Sequence, residues 1–378
     1  MKNGIKFELN KNQQKSIRNY INSEYFKNKK DDNYSAYWEE ESKLLRFSFT
    51  GSNEISITGS SGFYVPSNKY KNLIKKLLNF DFFREKLIFK IKSTILSIFS
   101  TPKFMSHMKA FDAVMSNKLI SDPDLSDYRF DHLKNSIKFK NIIQNYENIV
   151  EDYKEITSIN LNSVENRNSI IVSYYYRNLL IPFLEDKPKD IFLEIGAGSG
   201  NLALILAHLF SPKIYLIIDL PEALINSFIF ISNEFPDFEC ILPDRFTPEV
   251  LNKENNKKNT TFIFLVPSQK NLIQDNILDL SINTHSFQEM DQNIISDYFK
   301  FIYRVGKDNS LFFCSNRVEK IPTNNNPYTE MQISPPNNFY DYPWQKGNEN
   351  LINEISRLHR LICADAIAIK LEKIKNKK

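Results

Sequence analysis

The sequence predicts a doubly wound α/β fold whose sheet begins near residue 190, preceded by a mainly helical N-terminal region. Two patterns predict it. From Ile191 onward, apolar runs of strand length alternate with stretches of helix length, and such alternation implies βαβ crossovers and a parallel sheet. Directly after the first of these runs, three of the chain's nine glycines, Gly196, Gly198 and Gly200, fall within five residues. In a chain so poor in glycine, the cluster marks a place where the backbone turns tightly or a ligand comes close to it.

Taken in order, Ile191–Ile195 reads as a strand, 200–210 as a helix, Ile214–Ile218 as a strand and 221–234 as a helix. Thr261–Val266 and Leu278–Ile282 follow as strands, then a helix over 289–305 and a strand over Leu311–Cys314. Before the sheet, residues 165–184 have the apolar spacing of a helix that Pro182 is expected to kink or end. Apolar residues from Tyr70 to Ile98 recur at three- and four-residue intervals, so 67–100 is expected to be amphipathic helix. The first 60 residues are polar and weakly periodic, with a short strand or packed loop near Gly51. Residues 350–378 give two signals. Leu351, Ile355, Leu358 and Ile362 favour helix, while Ile367, Ile369 and Leu371 alternate as in a strand. The division expected is 1–164 as a substrate-capping region and 165–378 as the sheet domain, with an aromatic and proline-rich lid over 321–345.

Composition narrows the function. With 42% hydrophobic and 25% charged residues over 378 positions, the chain can bury a sizeable core. A net charge of +4 is too near balance for a nucleic-acid-wrapping surface. Residues 1–110 nevertheless carry about ten more basic than acidic side chains, which solvated lysine-rich helices or an anion-attracting surface would each explain. Three distant cysteines supply neither a disulfide framework nor a CxxC motif, so a reducing, cytoplasmic setting is expected. The N-terminus lacks an apolar signal region, and charges interrupt the most apolar stretches, 78–99 and 169–184; no transmembrane segment is expected.

The glycine turn carries the chemistry. In Phe192-Leu-Glu-Ile-Gly-Ala-Gly-Ser-Gly-Asn201, glycines fall at 196, 198 and 200, with Ala197 between the first two; a dinucleotide fingerprint would need glycine at 201. In an open α/β sheet, ligands bind outside the carboxyl ends of strands where strand order reverses, so this turn is the expected cofactor seat. Glu194, two residues before the first glycine, would repel a pyrophosphate and attract the sulfonium and ammonium of S-adenosylmethionine. Asp219, with Leu220 behind it, ends the next strand, where a carboxylate can accept hydrogen bonds from both ribose hydroxyls. Taken singly, either acid could be a cap. The three glycines between them favour the cofactor.

The block Asp190–Pro221 resembles motif I and the following acidic strand of Rossmann-like class I S-adenosylmethionine-dependent methyltransferases. Together with "DLSINTHSFQEMD", "FFCSNRVEK" and a late "YPW", it resembles the bacterial sugar O-methyltransferases over about 165–345. The resemblance implies that Glu194, Gly196, Gly198 and Gly200 hold the methionine part and Asp219 the ribose, with Ser268 and Gln269 flanking the adenine. Tyr175 and Arg177 could reach the cofactor carboxylate or serve the core. The acceptor of such families meets the methyl at the tip of the fourth strand. Here that tip presents His285, neutral and accepting near pH 7, as the leading base, with Glu289 next. Ser286, Gln288, Asn316 and Arg317 are expected to bind the sugar, and Tyr342 and Trp344 to offer aromatic faces to it or to pack as a lid. His285, Glu289 and Asp291 could form part of a metal site, but no spaced signature supports one and no metal is expected. The expected activity is methyl transfer from S-adenosylmethionine to a sugar or glycan hydroxyl, with which a homodimer is compatible. The rivals are a binding protein that keeps the fold without catalysis and a nicotinamide-dependent oxidoreductase.

Overall fold

The computed structural model describes residues 5–28, 46–50, 54–58, 164–185, 190–252, 259–320, 337–356 and 367–375. The helix expected over 67–100 and residues 321–336 of the expected lid lie outside them. The body is an eight-stranded mixed sheet with helices on both faces. Its parallel strands are β4 (Ile191–Ile195), β5 (Ile214–Ile218), β6 (Cys240–Ile241), β7 (Thr261–Leu265), β8 (Leu278–Thr284) and β9 (Gly306–Arg317). A separate antiparallel pair, β10 (Glu319–Lys320) and β11 (Asn337–Asn338), follows β9 in sequence, and two more strands, β12 (Glu349–Ile355) and β13 (Ile367–Lys373), form an antiparallel hairpin that continues the large sheet beyond β9. The order across the sheet is β12-β13-β9-β8-β4-β5-β7-β6. Of the ambiguous C-terminal residues, Leu351 and Ile355, which suggested helix, lie on β12, and Ile367, Ile369 and Leu371 on β13, while Leu358 and Ile362 lie outside the described residues.

The central strands read as unbroken apolar runs because both faces are covered. On one face Phe192, Tyr215, Ile217, Phe262, Phe264, Leu280, Ile282 and Phe313 pack against α3 (Val164–Leu184), α4 (Asn201–Phe210) and α5 (Pro221–Glu234). On the other, Leu193, Ile195, Leu216, Ile218, Ile263, Leu265 and Phe312 meet α6 (Gln292–Val305). Each such fully buried large side chain contributes roughly 1.5–3 kcal/mol relative to exposure. Helix α6 begins three residues later than expected, since 287–289 form a separate short turn, and Pro182 falls in the last turn of α3 without ending it early.

The described residues among the first 60 form more regular structure than the short strand or packed loop expected near Gly51. Strands β1 (Ile5–Glu8), β2 (Arg46–Thr50) and β3 (Glu54–Thr58) make a small antiparallel sheet, with α1 (Lys11–Asn22) and α2 (Glu24–Lys27) between the first two. Asn10 and Gln13 form a reciprocal cap at the start of α1. The same Gln13 then crosses to α5, donating from Nε2 to Ser232 Oγ and Asn233 Oδ1, each at 2.9 Å. Tyr20, fully buried, donates its hydroxyl to Pro221 O at 3.2 Å. The described N-terminal residues thus share one apolar core with the sheet's α3–α5 face.

No helix among the described residues is long and apolar enough to cross a membrane. Because Gln13 both caps α1 and joins it to α5, Gln13→Ala should lower the unfolding free energy by about 1–2 kcal/mol, read from urea denaturation.

Candidate functional site

Chain order reverses at β4, whose neighbours are β5 on one side and β8 on the other. The crevice outside the carboxyl ends of these three strands is the place such a sheet offers a ligand. There the turn after β4, Asp219 after β5 and His285 after β8 converge on one sheet edge.

The turn is built from positive φ at Gly196, Gly198 and Gly200, of 73°, 57° and 84°. The three glycines differ in what surrounds them. A Cβ on Gly196 would stand 2.3 Å from Ser286 Oγ, and one on Gly200 3.0 Å from the Ile231 side chain. A Cβ on Gly198 would meet nothing within 4 Å. The outer two glycines are therefore dictated by packing, while the middle one faces open space at the mouth of the crevice. Ala197, half-buried, accepts the Gly200 N–H at its carbonyl and closes the turn.

Two carboxylates lie beside this turn. Asp219 Oδ2 accepts the Gly198 N–H at 2.9 Å and Oδ1 the Leu220 N–H at 2.8 Å, so it braces the turn rather than capping α5, whose cap is Leu220. Burial pushes its carboxyl up to about 6, against the two N–H groups, which favour ionisation. Glu194 is not open at the strand tip as its position suggested. It is 1% exposed and accepts the Tyr215 hydroxyl at 2.9 Å. Desolvation foremost, with the nearby Asp219 charge adding to it, raises its carboxyl to about 7. Both groups are poised to ionise more fully beside a cation.

Sequence reasoning missed Asp244. It sits in the single turn 243–245 after β6, its Oδ1 is buried and has no hydrogen-bond partner among the described residues, and burial raises its carboxyl. The signal available was an acid shortly after an apolar pair, in Cys-Ile-Leu-Pro-Asp244, too short to read as a strand. Gln269 supports this turn: its Nε2 donates to Pro243 O at 3.0 Å while its Oε1 accepts the Val266 N–H. Its amide is thus committed within the protein, and its neighbour Ser268 is exposed.

On the other side of the crevice, Asn283 organises the segment after β8. Its Nδ2 donates to Ile195 O and Ser286 Oγ, and its Oδ1 accepts from Asn316 Nδ2 at 2.8 Å and from the Phe287 N–H. Asn316 Oδ1 accepts the Gln288 N–H, and Gln288 Oε1 the Arg317 N–H. Ser286, Gln288 and Asn316 therefore lock this loop to β4 and β9, with Gln288 and Asn316 buried. Glu289 and Arg317 are half-buried at the rim. Tyr342 and Trp344 lie on the α6 face, packed with Phe299, Phe287 and Phe312, and the Trp344 indole N–H donates to Phe339 O. Arg177 lies over the Tyr174 ring.

His285 has φ 60°, a left-handed conformation that costs a non-glycine residue roughly 1–2 kcal/mol. Its N–H donates to Ser315 O at 2.8 Å, and its Nε2 lies 2.9 Å from the Tyr176 hydroxyl on α3. Burial first, then the Arg317 charge, lowers its ring to about 4, so it is neutral at physiological pH. No group of three His, Cys, Asp or Glu side chains among the described residues is arranged to hold a metal ion.

The molecule is thus an α/β protein with a Rossmann-like sheet and a ligand crevice at the reversal of strand order. No family model matches the chain, and no curated protein matches it. Among solved structures, it is similar to a geranyl diphosphate C-methyltransferase from Streptomyces coelicolor A3(2), in complex with Mg2+, geranyl diphosphate and S-adenosyl-L-homocysteine. That likeness has 11% identity and a TM-score of 0.34, over 57% of this chain and 85% of that one. It is also similar to a cyclopropane synthase from Mycobacterium tuberculosis, with 10% identity and a TM-score of 0.37, over 53% of this chain and 84% of that one. At identities and scores this low, the function must be read from the residues of the site.

The glycine turn makes a direct prediction. Gly196→Ala should destabilise the protein by more than 2 kcal/mol, since strain and the Ser286 clash add, whereas Gly198→Ala should cost only the strain, about 1 kcal/mol; thermal and urea denaturation compare them.

Proposed function

We propose that the protein is an S-adenosylmethionine-dependent O-methyltransferase acting on a sugar hydroxyl. The observation that carries the cofactor is the open face of Gly198 braced by Asp219, with a second carboxyl, Glu194, near enough to feel the Asp219 charge, both of them raised towards neutral pH chiefly by burial. A cationic ligand restores their charge at little cost, while a pyrophosphate would bring negative charge against them. Asp219 keeps lone pairs for ribose hydroxyls beyond the two N–H groups it accepts, and the unpartnered Asp244 oxygen suits a donor such as an adenine amino group. The sugar as acceptor rests on the sequence resemblance of the segments at 279–291 and 312–320.

When bound, S-adenosylmethionine supplies a methyl carbon activated by its sulfonium. The chain's part is to align the acceptor oxygen with that carbon and to take its proton. His285, neutral and rigidly held after β8, is the base this reading favours, with Glu289 the alternative on the following turn. The Asn283–Asn316 network fixes both relative to the glycine turn, because Asn283 and Ser286 both bond to Ile195 O. Arg317 at the rim favours an acceptor that carries negative charge, such as a phosphate-linked sugar.

S-adenosylhomocysteine should raise the melting temperature of the full-length protein and NAD should not; the opposite result overturns this reading. Asp219→Ala should weaken binding at least tenfold. Transfer of labelled methyl to a pool of monosaccharides and nucleotide sugars then tests the acceptor.

The two raised carboxyls set a pH dependence. They are protonated as pH falls through about 7 and about 6, so S-adenosylmethionine affinity should fall steadily from about pH 8 to pH 5.5, measured by calorimetry. Ligand-free stability should run the other way: the folded state retains protons that the unfolded chain releases, so this contribution is lost as pH rises towards 7.

A further inference from the structure

Helix α1 runs antiparallel along α5. Gln13, in its first turn, bonds to Ser232 and Asn233 at the far end of α5, and Tyr20, in its last, reaches Pro221 at the near end. The two attachments lie at different distances from the crevice. Pro221 follows Asp219 by two residues, whereas Ser232 stands eleven residues further along the helix, about 16 Å away at the α-helical rise.

Tyr20 is also the corner of the N-terminal segment. Its carbonyl accepts the backbone N–H of Ser23 at 3.0 Å and the Ser23 hydroxyl at 2.7 Å, and Ser23 both ends α1 and opens α2. Phe26 of α2 meets the Tyr20 ring edge-on, with 5.5 Å between centroids. Both helices lie against α5 and against the 243–245 turn that carries Asp244. From this corner the buried Tyr20 hydroxyl donates to Pro221 O.

The path from that oxygen to Asp219 is short and stiff. The Pro221 ring fixes its own φ, and the preceding Leu220 N–H donates to Asp219 Oδ1 at 2.8 Å. Asp219 Oδ2 in turn accepts the Gly198 N–H at 2.9 Å. A displacement of the first turn of α5 therefore displaces Leu220, and with it the carboxyl that braces the glycine turn.

We propose that Tyr20 is a positioning residue for Asp219: by holding the first turn of α5 against the corner between α1 and α2, it keeps the Asp219 carboxyl where it braces Gly198 and can accept the ribose hydroxyls of a methyl donor. Its part in donor binding rests on the proposed function; its part in placing the carboxyl does not. When the start of α5 loosens, fewer molecules hold the binding geometry, and the apparent affinity falls by that fraction.

Tyr20→Phe keeps the ring beside Phe26 and removes the hydroxyl, while Gln13→Ala releases the far end of α5. Both should unfold at lower urea, as loss of a buried hydrogen bond entails. Only Tyr20→Phe should act at the site. In the full-length, ligand-free protein, amide exchange over 194–200 and 217–222, read by mass spectrometry, should quicken about threefold or more in Tyr20→Phe and match the wild type in Gln13→Ala. At a temperature where both variants are folded, the Kd of S-adenosylhomocysteine should rise about fivefold in Tyr20→Phe and stay within about twofold of wild type in Gln13→Ala. Unaltered exchange in Tyr20→Phe, or equal quickening in Gln13→Ala, overturns the assignment, as does a Tyr20→Phe protein that binds S-adenosylhomocysteine as tightly as the wild type. The exchange measurement needs no ligand, so it fails separately from the functional reading, which falls if the wild type does not bind S-adenosylhomocysteine.

Discussion

The site depends on a contact that leaves no room for a side chain: Ser286 Oγ occupies the place where residue 196 would carry its Cβ. That approach lets the loop after β8 lie directly on the turn after β4, with Asn283 and Ser286 sharing the Ile195 carbonyl. Parallel pairing of β4 and β8 brings the two strand ends together, but only glycine at 196 lets their loops touch. The proposed methyl-donor seat and the proposed base are thereby parts of one rigid construction. A shift of either would move the other.

Electrostatics divide the crevice. On the β4–β5 side, desolvation raises the proton affinity of Glu194 and Asp219, a shift that a nearby cation would oppose. On the β8–β9 side, burial and a neighbouring guanidinium hold an imidazole neutral. One fold edge therefore sets two carboxyl groups of raised proton affinity beside a neutral imidazole, the pairing on which the proposed methyl transfer rests.

Much of the fold was legible because the sheet is buried on both faces. Strands such as Ile191–Ile195 and Ile214–Ile218, and the helix 221–234, have sequence boundaries matching the structure, since unbroken apolar runs flanked by glycine, aspartate or proline leave little choice. In the C-terminal hairpin, the alternation of Ile367, Ile369 and Leu371 signalled β13, but β12 was not legible, because it is an edge strand whose half-exposed residues fit helical spacing as well as alternation. In the site, the glycines and Asp219 were readable from spacing. Tyr176 and Asp244 were not, since their placement comes from long-range packing: Tyr176 reaches partners 109 and 139 residues away. Ser286, Gln288 and Asn316 look from sequence like ligands for a polar substrate, and the structure shows Ser286 Oγ, Gln288 Oε1 and the Asn316 amide bonded within the protein.

The hold of α1 on α5 also has a consequence for the order in which the molecule is made. Gln13 and Tyr20 find their partners 201 to 220 residues further along the chain. During synthesis the first helix emerges long before Pro221 or Ser232 exists, and its apolar side, with Ile17 and Tyr20, must wait uncovered or be shielded by something else. Helix α1 is thus translated well before the seat it occupies, so a ribosome stalled before α5 would display it as a target for chaperones.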